Sequence, residues 1–443
     1  MAILIKNATL LALDNENQVI KNGAIILNQD KIQKIGSSNI LEKEHSYDQV
    51  LDADGRVVMP GMICGHMHFY SAFATGMPLP PFPKGFVNVL QNLWWKLDKA
   101  LLKEDVYYSA LQGYIEAVRS GTTTVIDHHA SPNYITGSLD EIEKAGRELG
   151  VRSNLCYEVT NRNSDDEAIT GLKENERFLR KVQQDNNDLM SGLVGLHASF
   201  TVSDNTLEST QKLVEKYQTG IHIHVAEGKA DMDHAQKNFN KTVTKRLNDY
   251  NLLNDKSILA HCIHIKDSDL PILKQSNVNI VHQPRSNMNN AVGTLDIFKL
   301  LKNGISFGMG TDGMSADMKA ELLVTPLIHK HVHQDNTVAF TESFNSLFKT
   351  NPKIVKSVVG VNTGSLEVGK KADLLITNYY PKTPISHENV MGHIMFGVIN
   401  NTIDTTIIDG KIRMKEGKIL NIDFAKVSEQ SVNHAQDVWN RIT

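Results

Sequence analysis

Histidines are the residues of this chain best suited to chemistry, and most of those between Arg56 and Val361 stand at the ends of short apolar runs. His66 and His68 close RVVMPGMICGHMH. On a strand, residues two apart share a face, so both imidazoles can grip one ion. His222 and His224 close GIHIHVAE in the same way, and Asp312 ends ISFGMGTDG. A single histidine of this kind is usually a satisfied core residue. Several converging on one rim are different: three imidazoles and a carboxylate form a donor set suited to Zn or Fe(II), with a position left open for water. Such an ion lowers the pKa of water from about 15.7 towards about 7, which makes hydroxide available at neutral pH. Hydrolysis also needs a group that moves protons. Glu227, three residues beyond His224, is placed to act as acid and base, although an isolated glutamate would be read as a solvated carboxylate. His261, which ends SILAHC, is expected to polarise the attacked centre or stabilise developing charge.

These residues need a scaffold that brings distant strand ends together. Eight apolar runs, each long enough for one strand, alternate with helix-period segments between about Arg56 and Val361. One of those segments spaces Val106, Ala110, Leu111, Tyr114, Ile115 and Val118 ahead of a stop at Gly121. The expected fold is therefore α/β: a (β/α)8 TIM-like barrel whose active face is formed by the C-terminal ends of its strands. The N-terminal runs ILIKNATLLALD, GAIILNQDKIQKIG and QVLDADGRVVMPG and the later KKADLLITNY and TIDTTIIDGKIRMKEGKIL read as strands and turns. They are expected to join as a small composite β-sandwich domain made from both termini. The resulting domains are 1–56 and 362–424 for the β-sandwich, 57–361 for the barrel and 425–443 for a C-terminal helix. In that helix Val432, Ala435, Val438, Trp439 and Ile442 form one face, for docking on the body or on a neighbouring subunit.

The first connection is longer than the others and carries PLPPFPKG followed by VNVLQNLWWKLDKA. Its Trp94 and Trp95 either cover a substrate or pack the insertion onto the barrel. Arg162 and Arg285, both just past strand ends, either grip a carboxylate or polarised carbonyl or serve the surface and the scaffold. Of 443 residues, 46 are Lys or Arg and 50 are Asp or Glu, a net charge of −4 that gives no electrostatic reason for nucleic acid or an anionic membrane as partner. A small, near-neutral substrate is the expectation. No apolar run approaches the roughly 18 to 20 residues of a membrane helix, and the chain is expected in the cytoplasm. Cys64, Cys156 and Cys262 are too few and too scattered for a disulfide framework, and are read as buried thiols.

Taken together and in order, the motifs VVMPGMICGHMHFY, HVAE, AHCIH, GMGTDG and GSLEVGKKADLLI resemble those of the amidohydrolase superfamily, in its mononuclear aminohydrolase branch of deaminases and triazine hydrolases. LWWKLDKALLKEDVYYSA, CYEVTNRN, ENERFL and HQPRSNMNNAVG are similar to SsnA-type aminohydrolases. The resemblance implies His66, His68, His224 and Asp312 as ligands of one divalent ion, with Zn2+ placed ahead of Fe2+. It implies that Asp312 takes the proton of the attacking water, Glu227 protonates a ring nitrogen and then the leaving group, and His261 orients the nucleophile. His197 in GLHASFTVS falls where the family contacts substrate. Strand four lacks the lysine of two-metal relatives, which favours a single ion. His222, His128 and His129 are left with supporting or packing roles, and Asp98 stands where nucleoside deaminases carry a ribose-binding glutamate. The implied reaction is deamination of a nitrogen heterocycle or amidine-like carbon, with release of ammonia. The alternatives are hydrolysis of a cyclic amide or displacement of a halide or ether at a ring carbon, and, from another class, an inactive metal-binding accessory protein. Relatives also suggest a homodimer.

Overall fold

A computed structural model describes residues 2–44, 46–185 and 187–442. The barrel strands are Met62–Met67, Thr122–Asp127, Arg152–Leu155, a fourth in two pieces (Met190–Gly192 and Val194–Ala198), Ile221–Val225, Ile258–His261, Asn279–His282 and Phe307–Met309. All successive pairs are parallel. Strand four, expected as one run, breaks at Leu193: Met190–Gly192 pairs with the third strand and Val194–Ala198 with the fifth. A parallel bridge from Val159 to Leu196 spans the gap.

The closing seam of the barrel joins its first and eighth strands beside the expected ligands. Thr311 and Asp312 donate their backbone N–H groups to His66 O at 2.8 and 3.0 Å, and His68 N donates to Asp312 O at 3.2 Å. A side chain at Gly310 would put its Cβ 2.7 Å from the backbone of His66, so only glycine lets the two strands approach this closely. Below, the buried Asn351 donates to Ile63 O and Met309 O and accepts from Met309 N. One amide thereby clips both strands. The seam thus fixes His66, His68 and Asp312 relative to one another through backbone bonds.

The helices form as their sequences dictate. Lys103–Ser120 ends at Gly121, which adopts φ of 86°. Ser164, Ser203 and Thr242 accept backbone N–H groups at the starts of the helices that follow them. Both ends of the chain build one nine-stranded sheet, in which Leu374–Thr377 pairs antiparallel with Val57–Pro60. Val57–Pro60 therefore belongs to this composite β-domain, whereas the expected boundary gave it to the barrel. The passage into the barrel falls at Gly61. The C-terminal helix Phe424–Ile442 packs on Lys103–Ser120 and ties down the first connection, because Trp439 Nε1 donates to Phe73 O and Arg441 Nε to Ala100 O. Val438 is buried and Ala435, Trp439 and Ile442 pack against the core, but Val432 is 66% exposed and lies off the docked face. All three cysteines are buried and unbridged. No helix among the described residues is long and apolar enough to cross a membrane.

Candidate active site

The C-terminal ends of the strands bring the expected ligands together. His68 Nε2 lies 3.1 Å from His224 Nε2 and 3.0 Å from Asp312 Oδ1, which is 3.4 Å from His66 Nε2. Two overlapping sets, one of His66, His68, His128 and His224 and one of His66, His224, His261 and Asp312, each place one donor atom per residue within 4.8 Å of one another. The outward nitrogens decide which lone pairs face inward. His68 Nδ1 donates to His128 O at 2.5 Å and His224 Nδ1 to His197 O at 2.8 Å. With Nδ1 committed on both rings, the two Nε2 atoms face each other at 3.1 Å, which two bare lone pairs would not tolerate, so a proton or a metal cation must stand between them. His66 Nδ1 is engaged by His222 Nε2 at 2.8 Å, and its Nε2 is buried without a hydrogen-bond partner. These residues fit a divalent ion.

The electrostatics agree. Burial lowers the pKa of His66 to about 4 and that of His224 well below the usual imidazole range. Burial opposes charge on His68 too, but Asp312 and Glu158 outweigh it and raise the ring to about 9. Burial would likewise raise Asp312, yet His66 and His68 hold it well below the usual carboxylate range. A cation is therefore favoured at the centre of the cluster. The backbone is also unusual there: Ala226, His261, Cys262 and Asp312 all have φ between 49° and 72°. Such left-handed residues turn the chain abruptly at strand ends and are held only by the surrounding structure.

Glu227 and His261 stand beside this cluster. His261 Nδ1 donates to Asn287 Oδ1 at 2.8 Å, which leaves Nε2 as an acceptor 3.5 Å from Glu227 Oε2 and 3.9 Å from Asp312 Oδ2. Burial pushes the Glu227 carboxyl up to about 7. That is close to the value an acid–base group needs at neutral pH. Sequence reasoning missed two partners: Ser286 Oγ donates to Asp312 Oδ2, and Asn290 Nδ2 donates to Glu227 Oε1 at 3.3 Å.

A cavity opens above, lined by His68, Glu158, His197, His224, Glu227 and Asp312 on the barrel side. Phe86, Leu90, Trp94 and Trp95 line it from the insertion. The insertion sits directly on the strand-end loops, since a Cβ at Gly228 would meet Phe86 at 2.7 Å and one at Gly313 would meet Trp94 at 2.9 Å. Trp94, Trp95 and His197 thus face the cavity as expected of substrate-contacting residues. Asp98 and Arg162 do not. They form an ion pair behind the wall, with the guanidinium 5.1 Å over the Trp95 ring. Arg285 is also turned away, its Nε donating to the buried Glu321 at 2.6 Å and its Nη2 to Ser315 O. Their long charged side chains find protein partners that sequence spacing does not reveal. His222 backs His66, as its supporting role required. His129 donates to Ser131 Oγ, and His128 packs against His222 with both nitrogens unpaired.

The amidohydrolase family model matches residues 57–413. The chain belongs to the amidohydrolase family. This amidohydrolase is 29% identical over 448 residues to the 5'-deoxyadenosine deaminase of Methanosarcina mazei, covering 99% of each chain. It is 31% identical over 426 residues to that of Methanocaldococcus jannaschii, covering 93% of this chain and 95% of the relative. Its fold matches an adenosine deaminase from Xanthomonas campestris solved with bound zinc, at a TM-score of 0.85 and 19% identity over 99% of this chain and 98% of that one. The amidohydrolase is a metal-dependent hydrolase of carbon–nitrogen bonds, in the aminohydrolase branch.

Proposed function

We propose that this amidohydrolase deaminates an adenine-type nucleoside of the 5'-deoxyadenosine class, replacing the ring amino group with oxygen and releasing ammonia. The observation that carries the reading is Glu227, a carboxyl held at about 7 by burial, on the cavity wall and beside the inward-facing imidazoles. Its position suits delivery of a proton to a ring nitrogen. The near full-length likeness to 5'-deoxyadenosine deaminases supports the substrate class. The flat, aromatic walls of Trp94, Trp95, Phe86 and Phe200 suit a planar heterocycle.

His66, His68, His224 and Asp312 hold one zinc ion in this reading. When bound, the ion supplies the nucleophile by making water acidic at neutral pH. Asp312 accepts the proton lost from the attacking water. His261 Nε2, an acceptor by virtue of its bond to Asn287, orients that water's remaining O–H. Glu227 protonates the ring nitrogen, then takes the proton of the new C–OH and passes it to the departing amine, and the proton left on Asp312 returns to Glu227 to reset the site, with Asn290 Nδ2 steadying the other Glu227 oxygen. Trp94, Trp95 and His197 hold the ring.

Zinc-loaded protein should release ammonia from adenosine-type nucleosides. Glu227→Gln should retain its metal while kcat falls by about 10²- to 10⁴-fold, the usual contribution of proton transfer. Unchanged turnover in that variant would remove Glu227 from the reaction, and a metal-loaded wild type inert towards every such nucleoside would sink the reading.

A further inference from the structure

Glu227, His261 and Asp312, the three groups that handle protons in the proposed reaction, come from the ends of strands five, six and eight, yet one short segment touches all of them. The helical turn Pro284–Asn289 follows strand seven, which lies between strands six and eight. Its Ser286 Oγ donates to Asp312 Oδ2, and Asn287 Oδ1 accepts from His261 Nδ1–H at 2.8 Å. Asn290, just beyond the turn, donates to Glu227 Oε1 at 3.3 Å, and Gln283, just before it, accepts the His261 backbone N–H on Oε1 at 3.0 Å. Ser286 and Asn290, four residues apart, share one face, and their side chains meet at 3.4 Å. A rotation of this turn about its axis therefore shifts all three contacts together.

A helix of six residues is too short to be stable by itself, so its orientation must be set from outside. Arg285 carries the bonds that could set it. Its backbone N and its Nε donate to the two oxygens of Glu321 at 3.2 and 2.6 Å, and its Nη2 donates to Ser315 O at 2.9 Å. Glu321 is fully buried on the helix Met318–His333, and Ser315 lies three residues beyond Asp312. Arg285 thus ties the turn both to the loop that carries Asp312 and to the helix behind it.

We infer that Arg285 is a positioning residue for the reaction: anchored on Glu321 and Ser315, it sets the rotation of the turn, and through Ser286, Asn287 and Asn290 the aim of Asp312, His261 and Glu227. The inference rests on the roles proposed for those three groups. Because Arg285 is turned away from the cavity, it acts on the reacting atoms only through the turn, and its effect belongs in kcat rather than KM. His66, His68 and His224 keep separate supports in His222, His128 O and His197 O, so the metal should stay bound when the turn shifts.

Two variants test this. Arg285→Met removes the side-chain clamp, whereas Arg285→Lys keeps a cation beside the buried Glu321, protecting the fold, but lacks the planar fork that spans Glu321 and Ser315 O. In zinc-loaded protein Arg285→Met should lower kcat by about 10- to 100-fold, the usual cost of a misplacement of about 1 Å, with KM and metal content close to wild type. Arg285→Lys should move kcat in the same direction by a smaller factor. Combining either variant with Asn290→Ala should fall short of the product of the single effects by about 3-fold or more, because both act through Glu227.

A second readout needs no turnover. The Nδ1–H protons of His261, His68 and His224 are each held in a hydrogen bond and should give downfield proton resonances, that of His261 assigned by its loss in His261→Asn. Arg285→Lys should shift or broaden the His261 line and leave the other two in place, whereas a general loosening of the fold would disturb all three. Wild-type kcat in a folded Arg285 variant, a loss confined to KM, effects that multiply fully with Asn290→Ala, or an unmoved His261 line overturns the inference. Failure of the deaminase reading is seen separately, as absence of ammonia release from the wild type, and the resonance then still decides whether Arg285 sets the turn.

Discussion

At the N-terminal ends of the barrel strands the fully buried Arg152 has a partner for each guanidinium nitrogen: Nε and Nη2 reach Asp373, Nη2 also reaches Asp409, and Nη1 donates to Asp188. At the C-terminal ends, equally buried polar atoms stand alone, among them His66 Nε2, His261 Nε2, Glu158 Oε2 and both nitrogens of His128. The same barrel pairs every guanidinium nitrogen of Arg152 at one end and leaves a cluster of buried polar atoms at the other without partners. Buried polar groups without partners are costly, so a fold retains them where a ligand will supply the missing contacts. The closed layer fastens the β-domain, which contributes Asp373 and Asp409, to the barrel. The open layer is where chemistry is done.

The two layers should therefore fail differently. Asp312→Asn should lose bound metal, by elemental analysis after gel filtration, and kcat/KM should drop on the order of 10³-fold or more, while the metal-free protein stays folded. Arg152→Met should do the reverse. It leaves the buried Asp373 with donors from Thr363 and the Asp409 backbone but no cation, a loss of about 3–5 kcal/mol of stability when one partner of a buried ion pair is removed. Turnover per folded, metal-bound molecule should be retained. If Arg152→Met stripped the metal, or Asp312→Asn unfolded the metal-free chain, the separation between the layers would be wrong.

Much of the open layer was legible because strand period and strand end are local properties. His66, His68 and Asp312 could be placed at one rim from spacing alone, and the structure sets them on the closing seam. His222 and His224 share a face of one strand, and spacing could not say that the deeper ring backs His66 while the outer one turns inward. Glu158, which lines the cavity, escaped notice because a buried carboxyl without a protein hydrogen bond shows itself only in three dimensions. The local signal was a carboxylate within the otherwise apolar strand end NLCYEV. Asp98, Arg162 and Arg285 misled for the opposite reason: long charged side chains beside a site look like substrate ligands until their protein partners are seen. The break in strand four was also hidden, since GLVGLHASF has the composition of one continuous strand.

The smallest expected difference between the layers is in their response to acid. In the open half, burial depresses His129 to about 3 and His329 to about 4, the latter against His282, whose Nε2 is 3.3 Å away. Both are near 6.5 in an unfolded chain. Between those values the unfolded chain binds protons that the folded one refuses, so the stability these rings contribute is complete above about 6.5 and is lost as the pH falls towards 4, by on the order of 1.4 kcal/mol per pH unit for each ring. In the closed layer, Asp30 is held below the ordinary carboxylate value by its hydrogen bond from Lys371. Its contribution is present at neutral pH and decays only below about 4. Urea midpoints of chelator-treated protein should therefore begin to fall between pH 6.5 and 5. His329→Asn should flatten that slope by close to one ring's share, whereas Asp30→Asn should leave it intact. A slope indifferent to His329→Asn would mean that this buried imidazole is not held neutral in the folded chain.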